Sequence, residues 1–176
     1  MSSEMRQELI TDLVTPFIQK SKMDVRFLTP FLKAAIEVLT AELGGPVRRG
    51  ELSLQRSAYT TAEVNVLITL VGRVQGVVIY GLSQATALAI VSQIMGQPFD
   101  SLDNLAQSGV GELGNVITGR ASTLLANEGY ASQLSVPMLV IGKAKISLLD
   151  FPRLVVPLLI QHGQIDVHLA LREVAA

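Results

Sequence analysis

Ser108-Gly109-Val110-Gly111-Glu112-Leu113-Gly114-Asn115-Val116-Ile117-Thr118-Gly119 lies inside a helical pattern that runs from about Leu102 to Glu128. With about 100° of rotation per residue, Glu112 and Asn115 fall on one helix face a turn apart, where both can engage a single target. Ser108, Gly119, Ser122 and Ala126 continue that face, while Ala106, Val110, Leu113, Ile117, Ala121 and Leu124 form the apolar arc opposite. A carboxylate and a carboxamide therefore stand on a surface of small side chains. Gly109, Gly111, Gly114 and Gly119 each cost a helix interior roughly 1 kcal/mol relative to alanine, so close approach is the reason to carry them. Either a neighbouring helix or strand packs tightly there, or a partner protein lies flat on the face of Glu112 and Asn115. Gly109 and Gly114 turn toward the core, and Ser108, Gly111, Gly119 and Ser122 are the small residues a partner would meet.

Outward from this helix, Asp100 or Ser101 is its expected N-cap, and Pro98 separates it from a helix that Ser83 caps and that ends near Met95-Gly96. Further back the period drops to two. Leu52 and Leu54, then Val64, Val66, Ile68 and Leu70, alternate with polar residues, and Gly72-Arg73 turns the second run into Val74 to Tyr80. This predicts an antiparallel three-strand meander. Beyond the stop at Asn127-Glu128-Gly129 come three extended stretches, Leu134 to Leu148, Leu154 to Gln161 and Gln164 to Glu173, with His162-Gly163 as the turn between the last two. In the last stretch Ile165, Val167, Leu169 and Leu171 face one way and Asp166, His168 and Arg172 the other, the mark of a sheet with one covered face. Pro137 and Pro157 lack the N–H of a central strand and mark places where pairing stops. Ahead of all this lie two helical patterns. Leu9, Ile10, Leu13, Val14, Phe17 and Ile18 place a short amphipathic helix in residues 4–20, and Val25 to Leu43 forms a second helix that Gly44-Gly45-Pro46 ends. The expected organisation is a 1–22 extension followed by one α+β domain over 23–176, helices laid on a large, mostly antiparallel sheet built from two three-stranded halves.

The chain has 176 residues, enough for one domain with a sizeable core. Hydrophobic residues make up 49% and charged residues 16%, a balance that points to apolar surface buried against a second copy, as in a homodimer. A net charge of −1 argues against nucleic acid, which needs a concentrated positive stripe. The absence of cysteine excludes disulfides, thiol catalysis and thiolate-bound metals. Leu154 to Ile160 is far shorter than the ~20 residues of a membrane helix, and Met1 to Glu8 do not read as a secretory signal. The expectation is a soluble, cytoplasmic protein with no membrane partner.

For a metal the chain offers His162, His168 and the nearby Asp166, read as solvated hairpin residues without a third ligand. No Gly-x-Ser-x-Gly occurs, and the GxGxxG spacing begun by Gly109 sits mid-helix rather than at a strand-to-helix turn. Glu112 and Asn115 remain. Asparagine is no base near neutral pH, but its amide can orient a water, and glutamate can pair with a lysine or take a proton. Such a pair suits phosphoryl transfer to water in which another molecule supplies the metal.

The chain resembles the CheC/CheX family of chemotaxis phosphatases, most of all its CheX branch. The likeness rests on Glu112 and Asn115, two residues between them on a helix, within Ser108 to Gly119. It extends from about Val25 to the C-terminus and takes in Gly76-Val77-Val78-Ile79-Tyr80 and Val136-Pro137 to Gly142. It implies a CheC-like fold and, as substrate, the phosphorylated aspartate of a CheY-type response regulator. In that family's manner Asn115 would position the attacking water and Glu112 would pair with the regulator's active-site lysine. The regulator would bring its own Mg²⁺, so the protein would need no cofactor. CheC proteins resemble a doubled version with two motifs, whereas Ala35-Ile36-Glu37-Val38-Leu39-Thr40 has no matching asparagine. One active face per chain and pairing as dimers through the sheets are the CheX-like implication. The alternative is a non-catalytic scaffold, like flagellar switch proteins that resemble this fold without the motif.

Overall fold

The computed structural model describes residues 25–57, 60, 62–142 and 153–175. The helix expected in residues 4–20, and the part of the Leu134 to Leu148 stretch beyond Gly142, lie outside the described residues. In chain order come α1 (Val25–Leu43), β1 (Arg48–Arg49), β2 (Ser53–Gln55), β3 (Val64–Gly72), β4 (Val74–Leu82), α2 (Gln84–Met95), α3 (Asn104–Asn127), β5 (Ser132–Leu134), β6 (Met138–Ile141), β7 (Arg153–Ile160) and β8 (Gly163–Glu173).

The eight described strands form one antiparallel sheet in the order β1-β7-β8-β4-β3-β5, with β2 also on β7 and β6 also on β3. The expected halves are present, but the first meander is not. β1 and β2 leave the β3–β4 hairpin and pair with β7, while β5 and β6 leave the β7–β8 hairpin and take the free edge of β3. Each half thus lends its first strands to the other, around the long β4–β8 pairing at the centre. Period two reveals which residues are extended and which face they share, not the partner across the ladder.

The two prolines sit at the seams of this exchange. Gly50 donates to the Pro157 carbonyl at 2.7 Å, between the β1 and β2 pairings, on the side where Pro157 has no N–H to give. Pro137 lies in the connection between β5 and β6. The β7–β8 hairpin turns at Gln161-His162, since Ile160 pairs with Gly163 and makes Gly163 the first strand residue rather than half of the turn.

The described helices all contribute to one core against one sheet face. Phe27, Phe31 and Leu39 of α1, Ile90 of α2, and Val110, Ile117 and Leu125 of α3 pack with Val66, Ile68, Val78, Val167 and Leu169. Val77, Ile79 and Ala170, with Leu67, form a second small cluster on the opposite face. Ser83 caps α2 by accepting from the Thr86 N–H at 3.1 Å, as expected, and Gly96 ends it at φ 66°. At α3 the cap is Asp103, which accepts from the Ala106 N–H at 2.8 Å, and not Asp100 or Ser101. The apolar arc of α3 ends on Leu125, fully buried, with Leu124 only partly so.

Candidate active site

α3 is pressed onto the sheet at Gly114. A Cβ there would lie 2.9 Å from Val66 Cγ1 and 3.2 Å from Tyr80 Cδ2, so no larger residue allows this approach without a shift. Beside this contact the Thr118 hydroxyl donates to the Gly114 carbonyl at 2.8 Å and lies 2.8 Å from the Tyr80 hydroxyl. With the threonine proton committed, Tyr80 is the donor, and burial pushes its phenol well above the ordinary range, so the donor is kept. Gly109 lets α2 come equally close, since a Cβ there would meet Met95 Cε at 3.0 Å and Val91 Cγ2 at 3.1 Å. These two glycines therefore serve packing within the fold.

On the outer side of this anchored helix run Ser108, Glu112, Asn115, Gly119 and Ser122. Ser108 and Glu112 are exposed, and Asn115, Gly119 and Ser122 are half-buried. A Cβ on Gly119 would meet nothing within 4 Å. Gly111 is different: it is buried, and a Cβ there would face Pro137 at 3.8 Å, so it seats the β5–β6 connection rather than lying on the open ridge. Val136 and Met138, either side of that proline, are 84% and 62% exposed. Neither Glu112 nor Asn115 has a hydrogen bond or ion pair among the described residues. In contrast Arg120, one turn on, is tied to Glu37 of α1 at 2.9 Å.

Beside Glu112 a groove of about 150 Å³ opens between the three helices, walled by Val38, Ile94, Met95 and Val116. Sequence reasoning missed it. Its walls come from three separated helices, and no local signal along the chain joins them.

The histidines are placed differently from the solvated hairpin pair that was expected. His162 is half-buried and hydrogen-bonds Gln93. His168 is buried on the far sheet face, where its Nδ1 accepts from Arg153 Nε at 3.0 Å. Burial, helped by the Arg153 charge, pushes its imidazole down to about 4. No group of three His, Asp or Glu that could hold a metal occurs among the described residues, and no described helix is long and apolar enough to cross a membrane.

A layer of three described helices on a mostly antiparallel sheet is the fold of solved structures that this chain matches. The profile of the family described as chemotaxis phosphatase CheX matches residues 64–159. The CheY-P phosphatase CheX of Thermotoga maritima is 30% identical over 122 residues, which cover 69% of this chain and 79% of that one. A CheC-like superfamily protein from a Shewanella species superposes with a TM-score of 0.76 at 27% identity, over 85% of this chain and 99% of that one. A CheX–CheY–BeF3–Mg²⁺ complex from Borrelia burgdorferi contains a chain that matches with a TM-score of 0.71 at 28% identity, over 84% of this chain and 98% of that one. The protein belongs to the CheX family of chemotaxis phosphatases.

Proposed function

We propose that this protein is an aspartyl-phosphate phosphatase acting on a CheY-type response regulator, with Asn115 positioning the water and Glu112 pairing with the regulator's lysine. The observation that carries the reading is that Glu112 and Asn115 have no hydrogen bond or ion pair among the described residues, on a helix that the core holds in place. Polar groups left unpaired on an anchored element are free to bond to another molecule, at little cost in reorganisation. Family membership and the names of the relatives support the substrate class.

In the proposed step the Asn115 amide bonds to a water opposite the phosphorus–oxygen bond of the aspartyl phosphate. The water oxygen forms a bond to phosphorus while the bond to the aspartate oxygen breaks. The electron pair stays on the aspartate, released as a carboxylate, and both water protons leave with the inorganic phosphate as dihydrogen phosphate, which then equilibrates with solvent. Asn115 takes no proton, so positioning is its whole contribution. Mg²⁺ held by the regulator would neutralise the phosphoryl charge, and no metal of this chain is called for. Ser108, Gly119 and Ser122 would let the partner's surface approach the ridge.

The test is the decay of a phosphorylated CheY-type receiver. Wild type accelerates it, while Glu112→Gln needs about tenfold more receiver for half-maximal rate because one charged contact is gone. If wild type leaves the decay of every receiver tried unchanged, the reading fails, and a scaffold role takes its place.

A further inference from the structure

We infer that the groove beside Glu112 seats a second cationic side chain of the docking receiver, a lysine or arginine distinct from the one that Glu112 pairs with, and that Glu42 is its carboxylate partner. This rests on the phosphatase reading and adds to it a contact outside the Glu112–Asn115 pair.

The groove has apolar walls and an acidic rim. Ile94 and Val116 are 37% and 42% exposed, apolar surface left open where α2 and α3 meet. Glu42 and Glu112 both line it, and neither has a hydrogen bond or ion pair among the described residues. No basic residue lines it among the described residues, and Arg120, the cation nearest along α3, is held by Glu37. Two helix C-termini also converge here. Glu42 lies in the last turn of α1 and Met95 closes α2, and neither helix carries a basic residue in its last turn. A helix C-terminus bears about half a negative charge, which a nearby cation stabilises. Both ends lack a cation of their own, and both border a groove whose rim already carries two carboxylates.

A long cationic side chain satisfies each part of this surface. Its methylene stem lies along Val38, Ile94 and Val116, and its charged head stays in water at the rim between Glu42 and the helix ends. An aliphatic side chain would cover the walls and leave the charges unanswered. A short acidic one would be repelled.

The experiment measures KM and kcat separately for hydrolysis of a phosphorylated CheY-type receiver by full-length protein. Glu42 is exposed and has no hydrogen bond or ion pair among the described residues, so its variants are expected to fold. Glu42→Gln is expected to raise KM about threefold to tenfold and Glu42→Lys more, with kcat little changed. Among Lys→Glu and Arg→Glu receiver variants, one is expected to bind wild type poorly and Glu42→Lys well. If wild type hydrolyses the receiver but both Glu42 variants keep its KM, the inference is overturned while the phosphatase reading stands. If Val116→Ser raises KM and Glu42→Lys does not, the occupant is apolar and the inference is again overturned. No hydrolysis by wild type removes the reading beneath both.

Discussion

Asn115 and Glu112 are presented by one helix to different degrees, the glutamate exposed and the asparagine half-buried beside it. That division matches their proposed tasks, a long reach for a charged partner and a fixed seat for an amide. Spacing alone placed them on one face. Gly111 was counted among the small residues a partner would meet, because the sequence does not reveal that Pro137 covers that side. His168 was likewise unreadable: alternation assigns it correctly to the face opposite Ile165 and Val167, but not its burial against Arg153. That burial has a measurable consequence. Its folded pKa of about 4 lies below the ordinary 6.5, so between these values the unfolded chain takes up a proton that the folded chain refuses. The stability this group contributes is complete above pH 6.5 and lost on acidification, on the order of 3 kcal/mol by pH 4. Urea unfolding at pH 7.5 and 4.5 is expected to show a larger loss for wild type than for His168→Gln, and equal losses would contradict it.

At the scale of elements, the three described helices and most strands were legible because each carries its own periodicity and punctuation: Val25 to Leu43 with its Gly-Gly-Pro stop, and Ser83 to Gly96 with both caps. The N-cap of α3 was misplaced because Asp100, Ser101 and Asp103 are equally good cap residues. Only the packing of Ala106 and Val110 decides the phase. The exchange of β1 and β2 for β5 and β6 was not legible at all, since it depends on long-range pairing. The glycines of α3 separate into two classes that predict opposite effects. Gly114→Val forces a branched side chain into Val66 and Tyr80 and is expected to destabilise by about 1–3 kcal/mol or more. Gly119→Ala meets open space and is expected to stabilise by roughly 0.5–1 kcal/mol through helix propensity. Thermal melts of the two variants measure both, and shifts of the same sign would remove the distinction.

For the whole molecule, the exchanged sheet supports one polar ridge, and its β3–β6 side exposes apolar residues. Val71 and Met138 are 56% and 62% exposed on the face turned away from the helices. We propose that this surface pairs two copies, in keeping with the 49% hydrophobic composition. Light scattering is expected to show a dimer for wild type and a monomer for Met138→Lys, and a monomeric wild type would refute it.

Single-turnover decay of a receiver's aspartyl phosphate, with saturating wild type or Asn115→Ala, tests the central claim most directly. Asn115→Ala is expected to melt as wild type does and to retain binding of the BeF3-loaded receiver. It is expected to lose about 100-fold or more of the acceleration, because the water is no longer placed. Acceleration equal to wild type by a folded, receiver-bound Asn115→Ala would contradict the assignment of Asn115.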